Sequence, residues 1–212
     1  MSRESFKRDF KDKVAIVGVG NTDFGAMYRN LDPNRSNYQL GLTAFKAALE
    51  DSGLTRDDID GLLVSRVPDH VRMGEILGIR NPRFSSILPG GGRYSGMALQ
   101  YAAMAVYTGM ADVVACIYGN NGRSVGDRYG GDGDGPPSPE SVGRNFDSPY
   151  GMTSVGATYA HTFRRHQKMY GTPVETLGHL AMNNRNNASL NPVAVMQKPF
   201  TMEDYLNTRF IA

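Results

Sequence analysis

The chain has 212 residues, of which 40% are hydrophobic and 21% charged, and 23 basic residues against 21 acidic ones leave a net charge of +2. This balance argues against nucleic-acid or anionic-membrane partners, and the single cysteine excludes an intrachain disulfide and a cysteine-rich metal site. The charged segment Met1 to Lys13 lacks the apolar core of a signal peptide, and no apolar run approaches the roughly 20 residues that span a bilayer. We therefore expect a cytoplasmic protein without a metal site.

Apolar runs and helical periodicities alternate along the first 119 residues. Apolar runs bounded by glycine or proline predict strands, and apolar residues at helical spacing predict amphipathic helices. Such alternation is typical of an α/β layered domain. The predicted elements are a buried strand at Val14–Val19, a helix at Tyr38–Asp51, a strand at Gly61–Val67, a helix at Val71–Leu77, a strand at Arg83–Leu88, a helix at Ser95–Gly109 and a strand at Ala111–Tyr118.

The second part of the chain, residues 120–212, has a different pattern. Residues 120–150 show little periodicity and are rich in glycine, which in a compact domain is typical of a functional insertion or a disordered segment. Helices are predicted at Thr153–Tyr170 and Thr172–Asn187, and Thr201 is the predicted cap of a short helix through Leu206. We therefore divide the chain into an α/β part, residues 1–119, and a helical loop region, residues 120–212.

The strongest candidate for chemistry is the glycine-rich turn that joins a predicted strand to a predicted helix. Gly90, Gly91 and Gly92 permit close approach of a ligand, and free N–H groups at a helix start favour an oxyanion. Ser95 stands where such a turn would present a nucleophile. The alternative is a plain turn in which Ser95 caps the helix. The turn lacks the spacing of a dinucleotide-binding or Walker motif.

The single cysteine, Cys116, lies in the middle of a predicted strand. A cysteine at such a position is usually a small buried hydrophobe with an inert thiol. We therefore do not expect it to be a nucleophile.

Several segments, in order, resemble the sterol-carrier-protein-x type thiolases, also called lipid-transfer proteins, of the thiolase-like superfamily. The resemblance covers nearly the whole chain. The matching segments are Lys13–Gly25, Ala47–Leu54, Asp58–Gly61, Gln100–Val114, Tyr170–Pro173, Asn191–Pro192 and Lys198–Thr201.

The resemblance implies a layered αβα thiolase-like fold, of which this chain would supply the N-terminal βαβαβ half plus the helical loop region. It also implies a substrate that is a coenzyme A thioester, with no bound cofactor. Substrate contacts would come from Gly90, Gly91, Gly92 and Tyr94. Two departures matter: the turn from Gly92 to Gly96 has no cysteine where the family has its nucleophile, and the C-terminal half that supplies the catalytic histidines is absent from the sequence.

Three interpretations follow. In the first, the protein cleaves a hydroxyacyl-CoA by retro-aldol chemistry, as thiolase-like steroid side-chain aldolases do, with a DUF35-type (OB-fold and zinc-ribbon) partner protein. In the second, it is a thiolytic acyltransferase with Ser95 at the nucleophile position, although a hydroxyl there would need an adjacent base. In the third, it is a catalytically silent subunit or fragment that needs a partner chain. The resemblance also implies a homodimer formed through the Phe84–Leu88 strand.

Overall fold

The computed structural model of the chain describes residues 11–88, 94–126 and 155–208. Contacts divide the chain into two units. The first unit consists of Met1–Thr22 and Pro33–Asn121, and the second consists of Asp23–Asp32 and Gly122–Ala212. None of the helices in the described ranges combines the length and apolarity that crossing a membrane requires.

The elements of the first unit alternate between helix and strand, as predicted. The run from β1 to β3 is a βαβαβ arrangement, and helix α1, in the second unit, is an addition to the predicted set. In chain order the elements are α1 (Phe24–Arg29), α2 (Asn37–Ser52), a 3-10 helix (Arg56–Asp58), β1 (Gly61–Ser65), α3 (His70–Leu77), β2 (Phe84–Ile87), α4 (Tyr94–Tyr107), β3 (Val114–Tyr118), α5 (Val155–Tyr170), α6 (Glu175–Ser189) and α7 (Met202–Leu206).

Local capping residues explain where α2 begins and ends. The Ser36 hydroxyl accepts a hydrogen bond from the Gln39 N–H at 3.2 Å, and the Gln39 side chain accepts one from the Ser36 N–H at 2.8 Å. This reciprocal capping box satisfies two N–H groups that the helix start leaves free. Gly53 ends the helix in the left-handed conformation, with φ of 71°, which glycine adopts without a Cβ clash.

The three strands form one parallel sheet in the order β2-β1-β3. The central strand β1 is buried along its whole length, as expected for a parallel strand covered on both faces. Its residues alternate between the two faces. Leu62 and Val64 join the core cluster that also contains Phe45 of α2 and Met73 of α3.

Helix α4 covers the opposite face of the sheet. It packs on β1 and β3, and its carbonyl at Ala98 lies 3.8 Å from Sγ of Cys116 in β3. Because Leu63 is the register partner of Cys116, Leu63 lies on this face too. The sheet therefore has α2 and α3 on one side and α4 on the other. This confirms the predicted α/β class and its three-layer arrangement.

The Asp60 carboxylate links the amino ends of all three strands through hydrogen bonds and an ion pair. Its Oδ1 accepts hydrogen bonds from the backbone N–H groups of Asp112 and Val113 at 2.8 and 2.9 Å, just before β3. Its Oδ2 lies 3.0 Å from Nη1 of Arg83, just before β2. Arg83 in turn donates to the carbonyl of Gly109 at 2.6 Å. One carboxylate directly before β1 thus sets the positions of both neighbouring strands.

The predicted buried strand at Val14–Val19 is wrong. Residues 14–20 form no strand, and Ile16 and Val19 are 68% and 65% exposed. The segment lies against α2 through its glycines: a Cβ on Gly18 would come within 2.5 Å of the Ala48 carbonyl oxygen. Its backbone therefore approaches a helix closely instead of a neighbouring strand, and its apolar side chains remain accessible to solvent.

The second unit is helical in its described part. Helices α6 and α7 pack together, with Gly178 at their contact, where a Cβ would come within 2.5 Å of the Met202 sulfur. The Thr201 hydroxyl accepts a hydrogen bond from the Asp204 N–H at 3.1 Å and caps α7, as predicted. The Arg185 guanidinium lies 4.9 Å from the Phe200 ring and donates to the Lys198 carbonyl at 3.1 Å.

Candidate functional site

The predicted site residues follow β2, which ends at the carboxyl edge of the parallel sheet. In open α/β sheets, ligands bind outside the carboxyl ends of the strands. Strand β1 ends at Ser65, β2 at Ile87 and β3 at Tyr118. The chain leaves β2 at this edge and enters α4 at Tyr94, so the N–H groups that the start of α4 leaves free belong to the same edge.

The predicted substrate-binding glycines, Gly90, Gly91 and Gly92, lie outside the described residues. Tyr94 is the first residue of α4, but its side chain also falls outside the described part of the chain. The assignment of these four residues therefore stays a prediction.

Ser95 is the second residue of α4 and is exposed. Next to it, a Cβ added to Gly96 would meet no atom of the described residues within 4 Å. Within the described ranges, no histidine or carboxylate hydrogen-bonds the Ser95 hydroxyl. The described residues thus supply no base of the kind that would activate this hydroxyl as a nucleophile.

Polar residues that the sequence analysis missed surround the carboxyl ends of β1 and β3. The Asn37 side chain donates to the Arg66 carbonyl at 2.8 Å and accepts from the Asn121 N–H at 2.8 Å. The Asn121 side chain donates to the Arg35 carbonyl. One asparagine at the start of α2 thus joins the loops that follow β1 and β3. No short motif marks these residues, since they are 29 and 84 positions apart.

Two further residues at this edge, Ser65 and Arg66, were not predicted from the sequence either. Ser65 is 5% exposed, and its hydroxyl oxygen has no hydrogen-bond partner in the described structure. Arg66, which follows it, has φ of 60°, a conformation that residues other than glycine rarely adopt. The only sequence signal was the change from the apolar run Leu62–Val64 to two polar residues.

The exposure of Cys116 differs from the prediction, whereas the environment of its thiol agrees with it. The residue as a whole is exposed, not buried as expected, but its Sγ faces α4 at 3.8 Å from the Ala98 carbonyl oxygen. Desolvation by the surrounding atoms raises the pKa of the Cys116 thiol to about 11. A thiol with this pKa is protonated at neutral pH, and the thiolate is the reactive species.

We predict that the Cys116 thiol reacts with iodoacetamide at least about tenfold more slowly at pH 7.5 than glutathione does, because so little of it is thiolate. The rate should rise with pH up to about 11, which mass spectrometry of the alkylated protein can follow. Cys116→Ala should keep the activity of the intact protein. A rate that levels off below about pH 9, or a folded but inactive variant, would contradict this.

Comparisons with known proteins connect this fold to enzymes. No protein-family model matches the sequence. A steroid side-chain-cleaving aldolase of Thermomonospora curvata is 34% identical over 204 residues, which cover 93% of this chain and 51% of that protein. The 17-hydroxy-3-oxo-4-pregnene-20-carboxyl-CoA lyase of Mycobacterium tuberculosis is 34% identical over 212 residues, covering 94% of this chain and 52% of that protein.

Two further comparisons agree with these. An acetyl-CoA acetyltransferase of Methanothermobacter thermautotrophicus is 27% identical over 214 residues, covering 94% of this chain and 51% of that protein. A solved structure described as an Ltp2-ChsH2(DUF35) aldolase superposes with a TM-score of 0.79 and 31% identity, over 93% of this chain and 49% of that chain. The chain thus spans about half the length of the relatives it matches. The relationship to thiolase-like proteins inferred from the sequence is confirmed.

Proposed function

We propose that this chain is the N-terminal, substrate-binding half of a thiolase-like enzyme that cleaves a carbon–carbon bond in an acyl-CoA thioester by retro-aldol chemistry. The observation that carries the proposal is the 34% identity to two steroid side-chain aldolases or lyases over 93% and 94% of this chain. The absence of a cysteine from the turn between Gly92 and Gly96 supports it, because retro-aldol cleavage needs no acyl-enzyme.

The reaction determines what the site must do. In a β-hydroxyacyl-CoA, the bond between the α and β carbons breaks, and the β-hydroxyl gives its proton to a base and becomes a ketone. The electron pair stays on the α carbon as a thioester enolate, which is then protonated to a shorter acyl-CoA. The site must therefore hold the thioester and stabilise the negative charge that develops on its oxygen.

In this proposal, the turn that leads into α4 holds the thioester. Gly90, Gly91 and Gly92 allow the ligand to approach the backbone, Tyr94 contacts the substrate, and N–H groups at the start of α4 stabilise the enolate oxygen. Ser95, exposed at the same helix start, contacts the thioester without forming a bond to it.

A thiolytic acyltransferase is the second candidate, favoured by the similarity to an acetyl-CoA acetyltransferase. Ser95 would then attack the thioester and carry the acyl group. It is the weaker candidate, because a serine hydroxyl needs an adjacent base. Identity to the acetyltransferase, 27%, is also lower than the 34% to the aldolase and the lyase.

The proposed assembly includes more than this chain. The similar structure is described as an aldolase with a DUF35 component, and we extend to this protein a DUF35-type partner that completes the site. We also propose a homodimer formed through the strand at Phe84–Leu88, since β2 is one of the two edge strands of the sheet within the described residues. Matched relatives are about twice as long as this chain, so a C-terminal half completes the enzyme in this proposal.

The proposal is tested by incubating the intact protein, with and without a DUF35-type partner, with 17-hydroxy-3-oxo-4-pregnene-20-carboxyl-CoA. We expect a steroid ketone and a shorter acyl-CoA, both detected by mass spectrometry, without added free CoA. A product that forms only when free CoA is added, together with an acyl group on Ser95, would support the acyltransferase instead. No turnover of any acyl-CoA would favour a catalytically silent binding subunit.

A further inference from the structure

The N-terminal run, residues 14–20, has the composition of a buried strand but is exposed on both faces. Ile16 and Val17, which an extended chain directs to opposite faces, are 68% and 59% exposed. Apolar side chains on both faces are typical of a strand that is covered on both sides, as β1 is. Within the described residues, no ladder joins this run to another strand.

The N-terminal run lies against α2 as an extended segment. A Cβ on Gly18 would meet the carbonyl oxygen of Ala48, and a Cβ on Gly20 would meet that of Ala44, so the run advances toward the start of the helix. Val19, between the two glycines that face α2, is 65% exposed. This two-residue alternation is that of a strand.

Strand β3 packs on the same helix and runs in the same direction. A Cβ on Gly41 of α2 would meet the Ile117 side chain, and a Cβ on Gly119, two residues further on, would meet the carbonyl oxygen of Asn37 at the start of α2. Strand β3 and the N-terminal run are therefore parallel segments that face the same side of α2.

The two segments contact different flanks of α2. Ala115 of β3 packs against the core cluster that contains Phe45 of α2 and is built on β1, whereas the N-terminal run contacts Ala44 and Ala48. Successive positions of a helix with 3.6 residues per turn are about 100° apart, so the flank with Ala44 is turned away from that core. The run therefore lies on the far side of β3 from β1, without pairing with β3.

The edge of β3 on this side has no ladder partner among the described residues. The Val113 carbonyl accepts from the Gly61 N–H at 3.0 Å, and the Gly119 N–H donates to the Ser65 carbonyl at 3.2 Å. The odd-numbered residues of β3 thus bond to β1, and the alternate residues, Cys116 among them, direct their N–H and C=O groups to the opposite edge. Such an unpaired edge is a pairing site.

We infer that one strand from the C-terminal half proposed above fits between β3 and the N-terminal run, an inference that rests on that part of the proposed function. The added strand bonds to the open edge of β3 on one side and to the run on the other, so that residues 14–20 become the edge strand of a larger sheet. The Val19 N–H bonds to the Asp51 carboxylate at 2.9 Å, so by alternation Gly18 and Gly20 direct their N–H groups to the added strand. Relatives about twice as long as this chain have the length for it.

A second copy of this chain does not fit the same position. If β3 paired with the β3 of a copy about a two-fold axis, the β1 of the copy would follow one strand further out. The N-terminal run already lies there. The homodimer proposed through β2 is unaffected by this argument.

Hydrogen exchange of the full-length protein, measured without a partner protein, tests the inference. The amides of Gly18 and Gly20 should exchange at least about 100-fold more slowly than in the 212-residue chain, because they gain ladder hydrogen bonds. Val17→Asp should reduce this protection at least about tenfold, since it places a charge on an apolar face of the sheet. Val71→Asp, the matched control, makes the same change at a side chain of similar exposure, 61% against 59%, and should leave the protection unchanged.

The outcomes distinguish this strand from other occupants and from the proposed reaction. Equal exchange rates of Gly18 and Gly20 in the two proteins, whether fast or slow, would overturn the inference. Protection that appears only when a DUF35-type partner is added would assign the position to that partner and would overturn it too. If the protection is found but the full-length protein cleaves no acyl-CoA, the proposed reaction fails and the added strand stands.

Discussion

Replacing Asp60 with alanine should lower the free energy of unfolding by about 3 kcal/mol, because the change removes the acceptor of several hydrogen bonds and one member of an ion pair. The carboxylate accepts hydrogen bonds from the backbone N–H groups of Asp112 and Val113 and pairs with Arg83. Among the described residues, the Asp60 carboxylate is the acceptor that these two N–H groups bond, so they lose these bonds in the variant. Urea denaturation followed by circular dichroism measures the change.

Asp112→Ala is the matched control for this prediction. Asp112 lies 2.9 Å from the same Nη1 atom of Arg83, but its side chain is 80% exposed and, within the described ranges, accepts no backbone N–H. An exposed ion pair contributes roughly 0–1 kcal/mol, so the control should lose less than about 1 kcal/mol. Equal losses for the two variants would show that Asp60 acts only through Arg83 and not through the backbone.

The contribution of Asp60 should also depend on pH. Burial tends to raise the pKa of the Asp60 carboxyl, but hydrogen bonds from the N–H groups of Val113 and Asp112 and the contact with Arg83 outweigh it and hold the pKa below its ordinary value. A lowered pKa means that the stabilisation is present above the unfolded value of about 3.9. It is lost as the pH falls through the lower folded value. The stability difference between the parent and Asp60→Ala should therefore shrink below about pH 4.

A proline at position 85 should convert the proposed homodimer to a monomer. The N–H groups of Phe84 and Leu88 donate to carbonyls on the β1 side, at Asp60 and Val64. In a parallel ladder the alternate residues Ser85 and Ile87 direct their N–H groups to the outer edge. Ser85→Pro removes an outward donor and leaves the ladder with β1 intact. Light scattering at micromolar concentration should show the mass of the particle falling by half.

Two companion variants keep the dimer prediction testable. Ser85→Ala retains the backbone N–H and should remain dimeric. Ile87→Lys keeps the ladder but places a charge on an exposed edge residue, which opposes edge-to-edge pairing, and it serves if the proline variant fails to fold. A parent protein that is monomeric at this concentration, or an Ile87→Lys variant that stays dimeric, would remove the assignment of this strand as the interface.

Most helices and strands of the first unit were predictable from local sequence patterns. The predicted helix at Tyr38–Asp51 is α2 with one residue added at each end, and the strand at Arg83–Leu88 is β2 with one residue fewer at each end. Such elements are predictable because capping residues, glycines and apolar periodicity act over a few neighbouring residues. The relationship to thiolase-like proteins could also be inferred from the sequence, because the matching segments and their order are visible in the sequence itself.

The candidate site was only partly accessible from the sequence. Glycines between a strand and a helix are a local signal, and this signal led to the residues from Gly90 to Ser95. Ser65 and Arg66 carried no such signal. Whether a hydroxyl is buried without a partner depends on the elements that pack around it, and a left-handed φ at Arg66 depends on a bond from Asn37, 29 residues away.

Whether the N-terminal apolar run forms a strand also depends on contacts with distant parts of the chain. The β-branched pattern of Val14–Val19 satisfies every local criterion for a strand, yet a strand exists only where a neighbour accepts its ladder hydrogen bonds. In the described structure this run lies against α2 instead, with the N–H of Val19 bonded to the Asp51 carboxylate at 2.9 Å. Local sequence thus specifies which segments can form strands and helices, whereas long-range partners decide which strands pair and which polar groups are buried without a partner.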